Sequence, residues 1–174
     1  MKEKGCSGVQ NFPTVGLCDG TFRKSLEETG MSFSREVDMI AKANGKGLLT
    51  ICYVFNPEEA RLMAVAGADI IVVHFGLTLG GSIGSHTTVK LEDCIEIFEQ
   101  CSTAVREINS DIFILCHGGP VAMAADAEFI IQNTNHCHGF LGASSMERLP
   151  TEIAIARTAK EFKDIQTTAQ KVIS

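Results

Sequence analysis

Four glycine-bearing strings in this chain combine the residue types that bind or move charge: His74-Phe75-Gly76, Gly80-Gly81-Ser82-Ile83-Gly84, His117-Gly118-Gly119-Pro120 and Gly142-Ala143-Ser144-Ser145. Glycine lets backbone N–H groups approach a ligand closely, and such groups at a strand-to-helix turn cradle a phosphate or carboxylate. Gly80, Gly81, Ser82, Gly118, Gly119, Ser144 and Ser145 are therefore expected to hold a small anion. The last two strings fit the phosphate cradle that barrel enzymes build after their final two strands. The plainer alternative for the 80–82 turn is a tight chain reversal. His74 and His117 each end an apolar run immediately before glycine, where an imidazole can serve as acid, base or oxyanion donor. Their alternative is a half-buried ring bonded to a backbone carbonyl.

Further polar residues flank these strings. Glu27 and Glu28 fall in the segment after the first apolar run, where a carboxylate would bind Mg²⁺ or act as a base, or else form a solvated pair. Asn11 would offer an amide near the same mouth, or cap a strand end. Arg148, next to Glu147, would grip a substrate acid bidentately, or form an ordinary ion pair that holds a loop. His136-Cys137-His138 invites a metal reading, but it precedes a strand and so lies at the opposite end from these loops, and adjacent residues do not converge on one ion. Cys18 has no histidine beside it and reads as a spectator.

The elements that must position these groups are legible in the hydropathy. Apolar runs at 8–12, 48–55, 70–75, 112–117 and 139–143 are near-continuous, as in strands covered on both faces, hence a parallel sheet. Asn56-Pro57-Glu58-Glu59 marks a helix start with a capping Asn and Pro at the first position, and Gly67 closes that helix. Leu91, Ile95, Phe98, Cys101 or Ser102, Val105 and Ile108 form an amphipathic stripe that packs on the sheet. A last helix begins near Pro150 and places Ile155, Ala159, Phe162, Ala169 and Val172 on one side. Strand and helix alternate five times, the pattern of a barrel or a doubly wound sheet. Two long loops, 14–32 and 77–88, leave carboxyl ends of strands, where barrel enzymes carry function.

Composition bounds the function. With 174 residues, 45% hydrophobic and 21% charged, the chain reads as one domain over 1–174. Its formal net charge of −6 and the absence of a dense Lys/Arg run argue against a nucleic-acid partner. No apolar stretch approaches the roughly 20 residues that cross a bilayer. The N-terminus lacks a signal-peptide core, so a cytoplasmic location is expected. Seven cysteines without a Cys-x-x-Cys pair read as reduced, mostly core thiols, with Cys94 and Cys101 on one helix face.

The strings Gly8-Val9-Gln10-Asn11-Phe12-Pro13-Thr14-Val15-Gly16-Leu17 and Leu26-Glu27-Glu28-Thr29-Gly30-Met31, with residues 74–84, 115–120 and 138–150, resemble the phosphoenolpyruvate hydrolase-like family of TIM-barrel proteins. The resemblance implies an α/β, parallel-stranded, TIM-barrel-like domain that is incomplete, with about five of eight βα units and the first three strands absent. Five strands leave two edges and an open inner face, so a fragment of a longer protein that self-associates is the expectation. Phe33 stands where the family is expected to carry Tyr, which removes a hydroxyl. The implied function is a metabolic enzyme with hydrolase or lyase chemistry on a phosphoenolpyruvate-like substrate. His74 or His117 would move the proton, and Glu27 or Glu28 would position Mg²⁺ or water. The competing expectation is a non-catalytic ligand-sensing or protein-interaction module, or an inactive remnant.

Overall fold

Five short strands form among the described residues, the middle three from runs rich in Ile, Val and Leu: β1 (Gly8–Gln10), β2 (Leu49–Val54), β3 (Ile70–His74), β4 (Phe113–His117) and β5 (Gly139–Phe140). The computed structural model describes residues 2–86 and 89–166. The strands pair in chain order, and every pair is parallel. Six helices accompany them: α1 (Gly20–Glu28), α2 (Phe33–Asn44), α3 (Pro57–Val65), α4 (Asp93–Arg106), α5 (Ala124–Gln132) and α6 (Arg148–Lys163). A parallel sheet in sequential order, with a helix in every crossover, is a sector of a barrel. The fold is an incomplete parallel α/β barrel of five βα units.

Alternation along the strands divides the molecule. Cys52 and Val54, Ile71 and Val73, and Ile114 and Cys116 point to the helices and share one core with Ile40, Met63, Phe98, Val105 and Ile130. Tyr53, Val72, His74 and His117 occupy the other, inner face. At the amino ends of that face Leu49 and Phe113 are exposed.

Local chemistry sets the boundaries. The Asn56 side chain accepts from the Glu59 N–H at 2.9 Å with Pro57 opening α3, and Gly67 follows at φ 84°, as its sequence required. Asp69 joins the amino ends of β2 and β3. One of its carboxylate oxygens accepts from the Thr50 N–H and hydroxyl, both at 2.8 Å, and the Asp69 N–H donates back to the Thr50 hydroxyl at 3.0 Å. Cys94 and Cys101 are fully buried in α4, and every cysteine is a free thiol.

Three expectations shift. The stretch 14–32 is not a bare loop, because it carries a short turn at Val15–Leu17 and helix α1, on which Glu27 and Glu28 lie. The last strand ends at Phe140, short of 143. Helix α6 begins at Arg148, and Ile155 and Phe162 are exposed on it, at 64% and 71%. Ala169 and Val172, and Thr88 at the end of the second loop, lie outside the described residues. No helix among the described residues is long and apolar enough to cross a membrane.

Thr50→Val keeps the buried shape but removes the hydroxyl that both gives to and takes from Asp69. It should cost about 1–3 kcal/mol in urea unfolding. An unchanged midpoint would mean that the Asp69 bonds do not hold the two strands together.

Candidate functional site

Parallel register puts His74 directly opposite His117, each the last residue of its strand. Both are nearly buried, at 6% and 7% exposure. Their rings lie 4.6 Å apart, edge to face, and the Tyr53 ring lies 5.0 Å from each. Phe55 packs 4.9 Å from His74, and Phe12 contacts Tyr53 at 5.7 Å. The result is an aromatic cluster at the carboxyl ends of the inner face, where barrel sites are found.

The partners of the two imidazoles differ in kind, and that determines their protons. His74 Nδ1 accepts from the Gly76 N–H at 3.0 Å, so it is unprotonated and the hydrogen sits on Nε2. His117 Nδ1 faces the Leu141 carbonyl at 2.6 Å, an acceptor only, so Nδ1 carries the hydrogen. Burial, and then the neighbouring His117, lower the pKa of His74 to about 3. Burial also lowers that of His117, against the opposing effect of the Leu141 bond. Both rings are therefore neutral near pH 7. His74 offers an Nε2–H donor and His117 a bare Nε2 acceptor. Each ring is tied to backbone at Nδ1, as the plain alternative expected, and the tie does not involve the ε nitrogens.

The glycine loops gather around this pair, but their backbone groups are largely engaged by the chain. The Gly119 N–H donates to the Gly76 carbonyl at 2.7 Å, and the Leu79 N–H to the Gly119 carbonyl at 3.0 Å. A Cβ on Gly118 would come within 2.5 Å of the Gly76 oxygen, and one on Gly119 within 2.6 Å of the Phe75 oxygen. Glycine here permits close packing of two loops. Gly80 and Gly81 have φ of 76° and 73°, and the following Ser82 N–H donates to the Glu152 carboxylate at 2.8 Å. Arg148 donates to the Gly80 carbonyl at 3.0 Å and pairs with Glu152 at 3.2 Å. The Ser82 and Arg148 bonds hold the Glu152 pKa below the usual carboxylate range. Arg148 thus clamps a loop, its plainer alternative. The Ser144 carbonyl starts α6 by accepting from Arg148 and Leu149 N–H groups, and Ser145 borders an apolar cavity of about 330 Å³ on α6 with Met123, Leu149 and Ile153.

Asn11 extends β1 beyond its last residue. Its amide accepts from the Tyr53 N–H at 2.7 Å, donates to the Tyr53 carbonyl at 3.1 Å, and donates to Glu36 at 2.8 Å. Glu36 also accepts from the Thr14 hydroxyl and the Val15 N–H. Glu27 lies on the surface of α1, paired with Arg23 at 2.7 Å, and Glu28 is exposed on the same helix. Neither joins the histidines. No three His, Cys, Asp or Glu side chains gather for a metal among the described residues. His138 sits at the amino end of β4, its Nδ1 accepting from the Ile114 N–H at 3.0 Å, far from metal duty. Phe33 is buried in the core, with Arg23 5.8 Å over its ring.

Sequence reasoning missed Tyr53, Glu36 and Glu152. Strand parity was the available signal for Tyr53, which alternates with Val54 and so faces inward with His74. Glu36 and Glu152 sit in polar helix stretches with no comparable mark.

A family model described as phosphoenolpyruvate hydrolase-like matches residues 1–165. Two tomato (Solanum lycopersicum) proteins are similar. "ToMV susceptible protein tm-1(GCR26)" is 53% identical over 165 residues, which cover 95% of this chain and 22% of that protein. "ToMV resistance protein Tm-1(GCR237)" is 52% identical over the same shares. The chain therefore spans under a quarter of the length of these relatives. Among solved structures, 2,3-dimethylmalate lyase aligns with 99% of this chain and 81% of its own at 11% identity, with a TM-score of 0.44.

Two outcomes follow from the geometry. Asn11→Ala leaves the Tyr53 N–H without its Asn11 partner and removes one of the donors to Glu36, and should destabilise by about 1–3 kcal/mol in denaturant unfolding; wild-type stability would show that these bonds do not hold the end of β1 to β2. The folded pKa of His74 lies below its unfolded value of about 6.5, so the unfolded state binds the extra proton between the two. Stability should fall as pH drops from about 6.5 toward 3, by up to about 1.4 kcal/mol per pH unit for each such imidazole. His74→Phe should flatten that slope, and parallel curves would place the proton uptake elsewhere.

Proposed function

We propose that this chain, which belongs to the phosphoenolpyruvate hydrolase-like family, forms part of a small-molecule enzyme acting on a phosphorylated or carboxylated carbonyl compound by lyase or hydrolase chemistry. The opposite protonation of two adjacent neutral imidazoles carries the reading. His117 Nε2 takes a proton from the substrate carbon or from an attacking water. His74 Nε2–H donates to the oxygen on which negative charge develops. Neutral rings suit this task, because an imidazolium at either position would remove the base or leave a buried charge.

In this reading the acidic end of the substrate reaches the Gly80, Gly81, Ser82, Gly118 and Gly119 loops and the Ser144-Ser145 turn. Arg148 becomes available when Glu152 gives up its place. The protein works in the cytoplasm, and a second copy covers the inner face near Phe12, Leu49 and Phe113. Glu27 and Glu28 receive no role, and no step passes through Mg²⁺.

A second reading, a non-catalytic ligand-sensing or protein-interaction module, is favoured by one observation. The Ser82 and Gly119 N–H groups already have partners within the chain. The names of the tomato relatives refer to ToMV susceptibility and resistance rather than to a reaction.

Thermal unfolding with and without phosphoenolpyruvate separates the two. At about a hundred times its dissociation constant the ligand should add roughly 2.7 kcal/mol, several degrees for a domain of this size. A cooperative transition that does not move removes phosphoenolpyruvate as the ligand and puts the interaction module first. Deuterium uptake from D₂O into pyruvate, used as a carbonyl probe, reads the proton transfer itself. His117→Ala should slow it by about 10²–10⁴-fold with folding intact, and an unchanged rate would remove His117 from the chemistry.

A further inference from the structure

We propose that Tyr53 is a positioning residue of this site: its ring holds the His74 and His117 imidazoles in their working orientations. The inference rests on the reading of the two histidines as the reacting pair.

The three rings form a closed triangle with sides of 5.0, 5.0 and 4.6 Å. Each imidazole has one hydrogen bond at Nδ1, to the Gly76 N–H or the Leu141 carbonyl. A single bond at one ring atom leaves the plane free to swing about it. Ring packing supplies a second constraint on the plane: of the pair, Phe55 packs against His74, at 4.9 Å, whereas Tyr53 packs against both, edge-on to His74 at 72° and tilted at 39° to His117. Register explains the reach. Tyr53 pairs with Val72, one layer beneath His74, so its long side chain leans toward the carboxyl ends and forms a floor under the pair.

The phenol is itself held. Its backbone is gripped on both sides by the Asn11 amide, and Phe12 packs against its ring. Tyr53 is 6% exposed, and burial raises its pKa, so it is a neutral phenol. A residue that only filled space here would need neither this chain of restraints nor a planar wall.

The test uses the fact that the chain has five histidines and one tyrosine. Long-range ¹H–¹⁵N correlation on histidine-labelled protein reads the tautomer of each ring, with His74→Gln and His117→Gln supplying the assignments. Wild type should show His74 protonated at Nε2 and His117 at Nδ1. Tyr53→Phe, which keeps the ring, should retain both. Tyr53→Leu should average them and let both rings titrate near the ordinary value of about 6.5, while deuterium uptake into pyruvate falls about 100-fold. If Tyr53→Leu does not fold, Tyr53→Met is the second variant. Sharp wild-type tautomers in either folded variant would overturn the proposal. Equal loss in Tyr53→Phe would overturn it too, since the ring would not be the agent. Tautomers that depend on the ring, in a wild-type protein that exchanges no deuterium, would sink the catalytic reading and leave the positioning role standing.

Discussion

Strand register is the constraint on which the rest depends. Cys52, Val54, Ile71, Val73, Ile114 and Cys116 must face the helices, because that is where the chain buries its aliphatic surface. Side chains alternate with a period of two, so Tyr53, His74 and His117 are thereby committed to the inner face. A slip of one residue in β3 or β4 would drive an imidazole into the aliphatic layer and turn Val73 or Cys116 outward. The packing energy of one face thus enforces the placement of polar groups on the other, and the Thr50 and Asp69 bonds at the amino ends fix the same register from below.

Burial then decides the chemistry available to the pair. Charging both of two nearly buried imidazoles 4.6 Å apart is strongly disfavoured, and desolvation disfavours even one charge. Backbone partners of opposite polarity resolve the remaining ambiguity. An N–H from Gly76 and a C=O from Leu141 impose opposite tautomers, which side-chain identity alone would leave open. The asymmetry comes from the loops after β3 and β5, so these loops matter to the site through what they do to histidine protons as much as through any ligand they touch.

The sheet, three of the helix positions and the inward histidines were legible because apolar runs, a capping Asn and glycine-flanked strand ends are local signals. Helix α1 was not, since it is short and polar overall and buries no residue. Tyr53 was hidden because an aromatic residue in an apolar run looks like core until parity is counted. The fate of Glu27 was equally hidden. An acidic pair in a loop and an acidic residue four positions after Arg23 on a helix read alike until the helix is known. At Gly118 and Gly119 the close approach that glycine permits is made by another loop, whose Gly76 and Phe75 carbonyls leave no room for a Cβ.

The 80–82 turn completes the argument in a different way. Its backbone does bind a carboxylate, that of Glu152, through the Ser82 N–H. That backbone donor is occupied by a carboxylate of the chain itself. An incoming carboxylate would replace one charge-assisted bond with another of the same kind, so the exchange is close to neutral at Ser82. What must be given up is the Arg148–Glu152 pair, partly open to solvent and screened accordingly. The released Arg148 would then face the newcomer with its guanidinium. The clamp is therefore shallow, and the same contacts that close the loop in the free chain are suited to receive an acidic group in place of Glu152.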